Sequence, residues 1–315
     1  MPTFNTPDPI TVDVKLVGGR VRIIASDRQD SVVRVEPDLP SATSGRVRVN
    51  LTGSTLKIRS AQSGGIVDKR GAVEVTVEVP SRSSLVARTA NAEIRARGVL
   101  GTCRLHGTAG LVELDRTTGP VHAHVADGTL RIGHAGGDVD VRSGRSAVHI
   151  DEVRGDVTVR AATGPVVIGT AGGDLTVATA GGDVAVERAA ANVTFRTAWG
   201  NLRVGEVAGG RVDVATGTGN IEIGIRAGLA AWVDASSKSG EVRSLLPARG
   251  GPPSTEHKAE VRARTQHGDI LIRSAVDPAA PSGSAEPDGP TTPRGGGEPA
   301  ASAGPVVAGR AVKTL

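Results

Sequence analysis

Basic residues recur along this chain at a fixed interval. His106 and His124 are 18 residues apart, and the same step leads on to Arg142, Arg160, Ala178 and Arg196. If the chain coils once every 18 residues, these side chains stack on successive turns as a basic ladder. Such a stripe could hold an anion or an acidic partner. The plainer reading of His106, His124, Arg142, Arg160 and Arg196 is a solvated face. A metal at the two histidines needs a third ligand, and none is evident.

Other patterns suggest chemistry and then fail on spacing. Three Gly-Gly-Asp units, at 136–138, 172–174 and 181–183, resemble calcium-binding nonapeptides. Those place a further Gly before the Asp, so turn-forming aspartates are expected here. Paired acids of the glycosidase kind must converge in a cleft. Asp140 and Asp213 fall on separate repeats, and Glu113 and Asp115 point outward from one stretch. There is no Ser/His/Asp order and no phosphate loop. Cys103 sits in an apolar slot and reads as a small core residue. No catalytic residue, cofactor or metal is expected.

These residues hang on a nine-residue frame. With Gly as position one (Gly101, Gly110, Gly119, Gly128, Gly137), position three is always apolar: Cys103, Val112, Val121, Leu130, Val139. Position five is apolar too: Leu105, Leu114, Ala123, Ile132, Val141. Polar residues lie between them. That is strand periodicity, with the β-branched bias of a half-buried pleated surface. Gly-Asp and Gly-Asn at positions one and two are turn chemistry. Alternate nonapeptides end differently: one type closes on a small apolar residue (Ala135, Val153, Ala171, Ala189, Val207) and the other does not. The true period is therefore 18, in two unlike halves.

The fold expected is all-β: a two-sheet β-solenoid-like stack of 18-residue coils, each coil giving one strand to each sheet, with β caps at both ends. The alternative is an antiparallel β-sandwich or meander. A six-residue acyltransferase solenoid is rejected, because stepping six from Ile132 reaches Asp138 and Gly144. Residues 1–274 read as a single β-repeat domain. Within it 1–88 form the N-terminal cap, 89–225 the regular repeats and 226–274 the closing strands. Ile10 to Ile24 alternates around Gly18-Gly19, a hairpin signal. Leu246 to Pro253 reads as a loop. Residues 275–315, rich in Pro, Gly and Ala without alternation, read as a disordered tail.

Composition agrees with thin walls. Among 315 residues only Phe4, Phe195, Trp199 and Trp232 are aromatic, and there is no Tyr. Stacking platforms for single-stranded nucleic acid need more aromatic faces. A net charge of +4 is too dilute to imply nucleic acid by itself. The dominance of Arg over Lys reads as high-GC bacterial codon usage. One cysteine excludes an internal disulfide. No secretory signal or 18-residue apolar run is legible, so no membrane insertion and a cytoplasmic location are expected.

Four strings are shared with a known group. They are Met-Pro-Thr-Phe-Asn-Thr-Pro at 1–7, Ile10-Thr-Val-Asp-Val, the recurring Gly-Asp-Val/Leu-x-Val, and Glu260-Val-Arg-Ala-Arg-Thr with Gly268-Asp-Ile-Leu-Ile. Over residues 1–274 the chain resembles the β-strand-repeat family known as domain of unknown function 4097, of actinobacterial type, whose members are labelled candidate adhesins. The resemblance implies a solenoid-like fold, no established catalysis and, by the label, surface exposure. The expected role is a non-catalytic scaffold or protein-interaction module with an unknown protein partner. The alternatives are an adhesin-like glycan-binding protein and a bactofilin-like solenoid that self-associates through its ends.

Overall fold

Alternation at period two decides which way each residue faces. In the strand Val121–Ala135, Val121, Ala123 and Val125 are buried while His122 and His124 are exposed. Repeated every nine residues, this gives two walls whose inner faces meet. The computed structural model describes residues 2–37, 47–60, 73–246 and 258–275, all strands and connecting turns.

From Cys103 to Val207 the pairing between coils is parallel, at an offset of 18. Val139 lies beside Val121 on one side and Val157 on the other. In the facing wall Val148 lies between Leu130 and Val166. An antiparallel meander has the opposite polarity, so the solenoid is the architecture. Equivalent side chains then stack about 4.8 Å apart, with the walls about 10 Å apart. That gap suits Val, Ile and Leu. Phe195 is the one aromatic inside it, at 0% exposure. Each fully buried aliphatic contributes about 1.5–3 kcal/mol, so many thin layers replace one thick core.

The corners are built differently on the two edges. On one, Gly164, Gly182, Gly200 and Gly219 stack with φ between 117 and 142°. A Cβ at Gly182 would lie 2.3 Å from the carbonyl oxygen of Gly164. Only glycine meets both the conformation and the close approach. Next to this column Asp183 Oδ1 accepts the Asn201 N–H at 2.8 Å, Asn201 Oδ1 that of Asn220 at 3.0 Å, and Asn220 Oδ1 that of Asp269 at 2.9 Å. The opposite edge carries its own ladder: Asp138 accepts from Asp156 N–H at 2.9 Å, and Asp156 from Asp174 N–H at 2.8 Å. Backbone donors left over at each turn are thereby satisfied from the coil below.

Neither end follows chain order. Thr11–Ser26 is one strand that runs parallel to Ser84–Leu100 from Thr11 to Ile24. Gly18-Gly19 is therefore a coil corner, which corrects the hairpin expectation: both halves pair with a neighbouring coil and not with each other. On its other side Thr11–Ser26 pairs with Thr55–Ser60 and Val73–Pro80. Antiparallel strands Val47–Thr52, Asp30–Pro37 and Thr3–Asn5 complete that end. At the other end Lys258–His267 and Ile270–Ser274 insert between the Gly210–Thr218 and Ile221–Ile225 coil and the outermost strands Ala230–Ser239 and Val242–Ser244. The expected loop from Leu246 to Pro253 and the expected tail fall, beyond Leu246 and Ala275, outside the described residues. Among the described residues no helix is long and apolar enough to cross a membrane.

Candidate functional site

The 18-residue offset turns the sequence interval into a physical column. His106 stands beside His124, His124 beside Arg142, and Arg142 beside Arg160. The two imidazoles stack with centroids 4.9 Å apart and planes 22° from parallel. The column also runs back toward the N-terminal end. Arg88 registers with His106, Lys15 with Arg88, and Arg59 with Lys15. Seven successive coils thus carry a basic residue at one outward position, a span of about 29 Å at 4.8 Å per step. Ala178 interrupts it after Arg160. Arg196 stands apart beyond that gap, bound to Asp213 at 3.3 Å.

Around the histidines the wall holds a cavity of about 320 Å³, backed by Ala87, Leu105 and Ala123. Arg88, Arg104, His106, His122, His124 and Arg142 line it. Arg88 lies 3.6 Å from Asp13, whose carboxylate is mainly taken by Arg59 at 2.9 and 2.5 Å. That hydrogen-bonded guanidinium holds Asp13 below the usual carboxylate range. The other five basic residues of the cavity pair with no carboxylate among the described residues. Asp140 is the one acid of the lining; its Oδ1 is buried without a hydrogen-bond partner.

Fold stability does not account for this arrangement. Like charges directly opposite on neighbouring strands are destabilising. The facing wall shows the usual remedy. There Arg95 meets Glu113 at 3.4 Å, Arg203 meets Glu222 at 3.7 Å, His134 meets Glu152 at 3.5 Å and His149 meets Asp151 at 2.9 Å. In the basic column, by contrast, His106, His124, Arg142 and Arg160 have no carboxylate partner among the described residues.

The remaining candidates resolve into structure. The Gly-Gly-Asp aspartates Asp138, Asp174 and Asp183 serve the turn ladders, and no metal-holding cluster exists among the described residues. Asp140 and Asp213 lie four coils apart, through Thr158, Thr176 and Thr194. At about 19 Å they are far beyond the separation of a glycosidase pair. Glu113 is engaged by Arg95, and Asp115 accepts the Gly98 N–H at 3.0 Å. Cys103 is buried, and burial pushes its thiol up to about 12. Trp232 faces the Arg262 guanidinium at 5.8 Å.

The sequence interval identified His106, His124, Arg142 and Arg160. It missed Arg88, which keeps the same interval before His106. Arg104 and His122, two residues earlier on their strands, were also overlooked. Lys15 and Arg59 had no such signal, because their pairing partners lie far off in sequence.

A family model described as Toastrack DUF4097 matches residues 8–274. Among curated proteins none matches the chain. Solved structures with similar strands include a candidate adhesin from Bacteroides fragilis, 12% identical over 86% of this chain and 95% of that one, with a TM-score of 0.30. A candidate lipid binding protein from Parabacteroides distasonis is 12% identical over 86% and 95%, with a TM-score of 0.32. A candidate cell adhesion protein from Clostridium sporogenes is 10% identical over 87% and 98%, with a TM-score of 0.22.

Proposed function

The chain belongs to the Toastrack DUF4097 family, and from that premise we propose that it is a non-catalytic scaffold that docks a partner on its basic wall. The observation that carries this reading is the run of basic residues from Arg59 to Arg160. A solenoid holds the backbone positions of such a run at fixed spacing, so an acidic partner meets a regular array of basic side chains. Electrostatic steering raises the encounter rate. Exposed arginines without carboxylate partners are available for bidentate contacts.

The reading includes a cytoplasmic location and no catalysis. The test is a pull-down from the native host with the full chain and with Arg142→Glu, Arg160→Glu double reversal. Loss of the bound partner in the variant, with an unchanged melting curve, supports the proposal. An identical set of partners ends it. Fractionation of the native protein tests location: a cell-surface pool would favour an adhesin instead. Concentration-dependent growth in size-exclusion chromatography would favour end-to-end self-association.

A further inference from the structure

The cavity around the stacked histidines has features that a merely cationic patch lacks. Its lining is rich in donors: three guanidiniums and three imidazoles. It also contains one acceptor-only group. The Asp140 carboxylate is held by no Arg or His of the cavity, and its Oδ1 has no hydrogen-bond partner. A carboxylate amid so many donors, yet bonded to none, has acceptor capacity to spare.

We propose that this cavity binds a phosphate group that still carries a proton. The proposal rests on the reading of the basic wall as a binding surface and names the chemistry recognised at its centre. Guanidinium forks suit the oxygens of phosphate. Arg104 and Arg142 supply forks that no carboxylate already occupies, while His106, His122 and His124 supply ring N–H groups. The proton retained on a phosphate near neutral pH is donated to Asp140. Sulfate offers the same tetrahedral shape and a full negative charge but carries no proton to donate. Against Asp140 it brings only another lone pair, which repels. A site that combines donors with one buried-edge acceptor therefore discriminates between two near-isosteric anions, as sites built around a specific hydrogen bond do. The same chemistry could arrive as free phosphate or as a phosphate monoester on a larger partner. Lys15, Arg59 and Arg160 continue the column beyond the cavity and would meet the rest of such a partner.

The experiment is isothermal titration of the full chain with inorganic phosphate, with a phosphate monoester (phenyl phosphate) and with sulfate. It is run at about pH 6, near the second pKa of a monoester, and at constant ionic strength so that screening is equal. The expected result is phosphate bound at least about tenfold more tightly than sulfate. Asp140→Asn should bring sulfate up to within about threefold of phosphate, because the amide can donate where the carboxylate could not. Arg104→Gln should weaken both anions by about tenfold. A monoester that binds as well as inorganic phosphate points to a phosphorylated partner; free phosphate alone binding points to the ion itself. Each variant is accepted only with a wild-type melting curve. Equal affinity for sulfate and phosphate in the wild type, or no binding of either, overturns the proposal. If anions fail to bind but the Arg142→Glu, Arg160→Glu variant still loses its partner, the phosphate site falls and the docking wall stands. If phosphate binds selectively and partner capture ignores those reversals, the docking wall falls and the site stands.

Discussion

The indole of Trp199 lies against Gly181 of the neighbouring coil. The two residues are in register, and a Cβ at 181 would come within 2.1 Å of ring atoms Cε2 and Cζ2. Trp199 is 55% exposed, so its ring can swing away. Gly181→Ala should therefore displace it at little cost, within about 0.5 kcal/mol as for most surface changes. Trp199 fluorescence, read in a Trp232→Phe background, should shift to the red. Gly182→Ala is the contrast. Its φ of 117° and the Gly164 carbonyl 2.3 Å from the new Cβ leave no escape. We expect a loss of about 1–3 kcal/mol from strain, measured by denaturant unfolding. Equal costs at 181 and 182 would refute this account of the corner.

The aspartate ladder makes a separate claim about calcium. Asp156 donates its own N–H to Asp138 and accepts that of Asp174 at 2.8 Å. Asp156→Ala removes the second bond and should cost about 0.5–1.5 kcal/mol. Because these carboxylates serve backbone donors, calcium and chelator should leave the melting temperature of the wild type unchanged. A calcium-dependent rise would show that ions bridge the turns instead.

Acid should loosen the N-terminal end before the regular coils. The Arg59 hydrogen bonds, with the Arg59 and Arg88 charges, lower Asp13 from its ordinary 3.8. A folded value below the unfolded one means the contribution is fully present above the unfolded pKa. It is lost as pH falls through the folded value. Protection of the amides at residues 11–16, corrected for the intrinsic exchange rate at each pH, should fall below about pH 4. In Asp13→Asn the same amides should exchange faster at neutral pH and show less further change with acid. Identical acid profiles in the two proteins would remove Asp13 from the explanation.

Much of this architecture is readable from residue types because each repeat position has one job. Val139, Val157 and Leu175 face the core in every coil, so the period appears without any knowledge of pairing. The column through His106, His124, Arg142 and Arg160 is legible for the same reason. Thr11–Ser26 is different. Its neighbours are Thr55–Ser60 and Val73–Pro80 on one side and Ser84–Leu100 on the other. Those pairings have offsets of 44, 54 and 73 residues (Thr11↔Thr55, Arg20↔Glu74, Thr11↔Ser84). No local pattern encodes them, and Gly18-Gly19 serves a coil corner as well as it would a hairpin. Lys15 and Arg59 join the basic column only through that pairing. Asp140 is invisible to interval reasoning, since its significance lies in the hydrogen bonds it does not make.

Cys103 should behave as a wall residue. It is 0% exposed, between Leu85 and Val121, and its thiol is pushed up to about 12 mainly by burial. Thiolate is the reactive form. A thiol reagent at neutral pH should label it only as the chain unfolds, so labelling and unfolding rates should coincide under strongly reactive conditions. Cys103→Val, which matches Val121, should keep the melting temperature within a few degrees. Rapid labelling of the folded chain would place this strand outside the core.

The strongest expectation concerns a single buried position in the middle of the stack. Val157 is 0% exposed and touches the next layers through Val139 and Leu175. Val157→Asp would put an unpaired charge between the walls, where no donor is available to meet it. Stability in a stacked repeat is largely a sum over neighbouring coils, so the damage should not stay local. The coils on either side lose their shared interface and the stack divides. We expect a loss of about 4 kcal/mol or more, seen as a lowered melting temperature, a split transition or aggregation. Thr176→Asp, one coil on and facing outward beside Thr158 and Thr194, carries the same new charge and should change stability by less than about 1 kcal/mol. Equal tolerance at 157 and 176 would mean that the period-two alternation does not separate inside from outside, and the two-walled solenoid would fall with it.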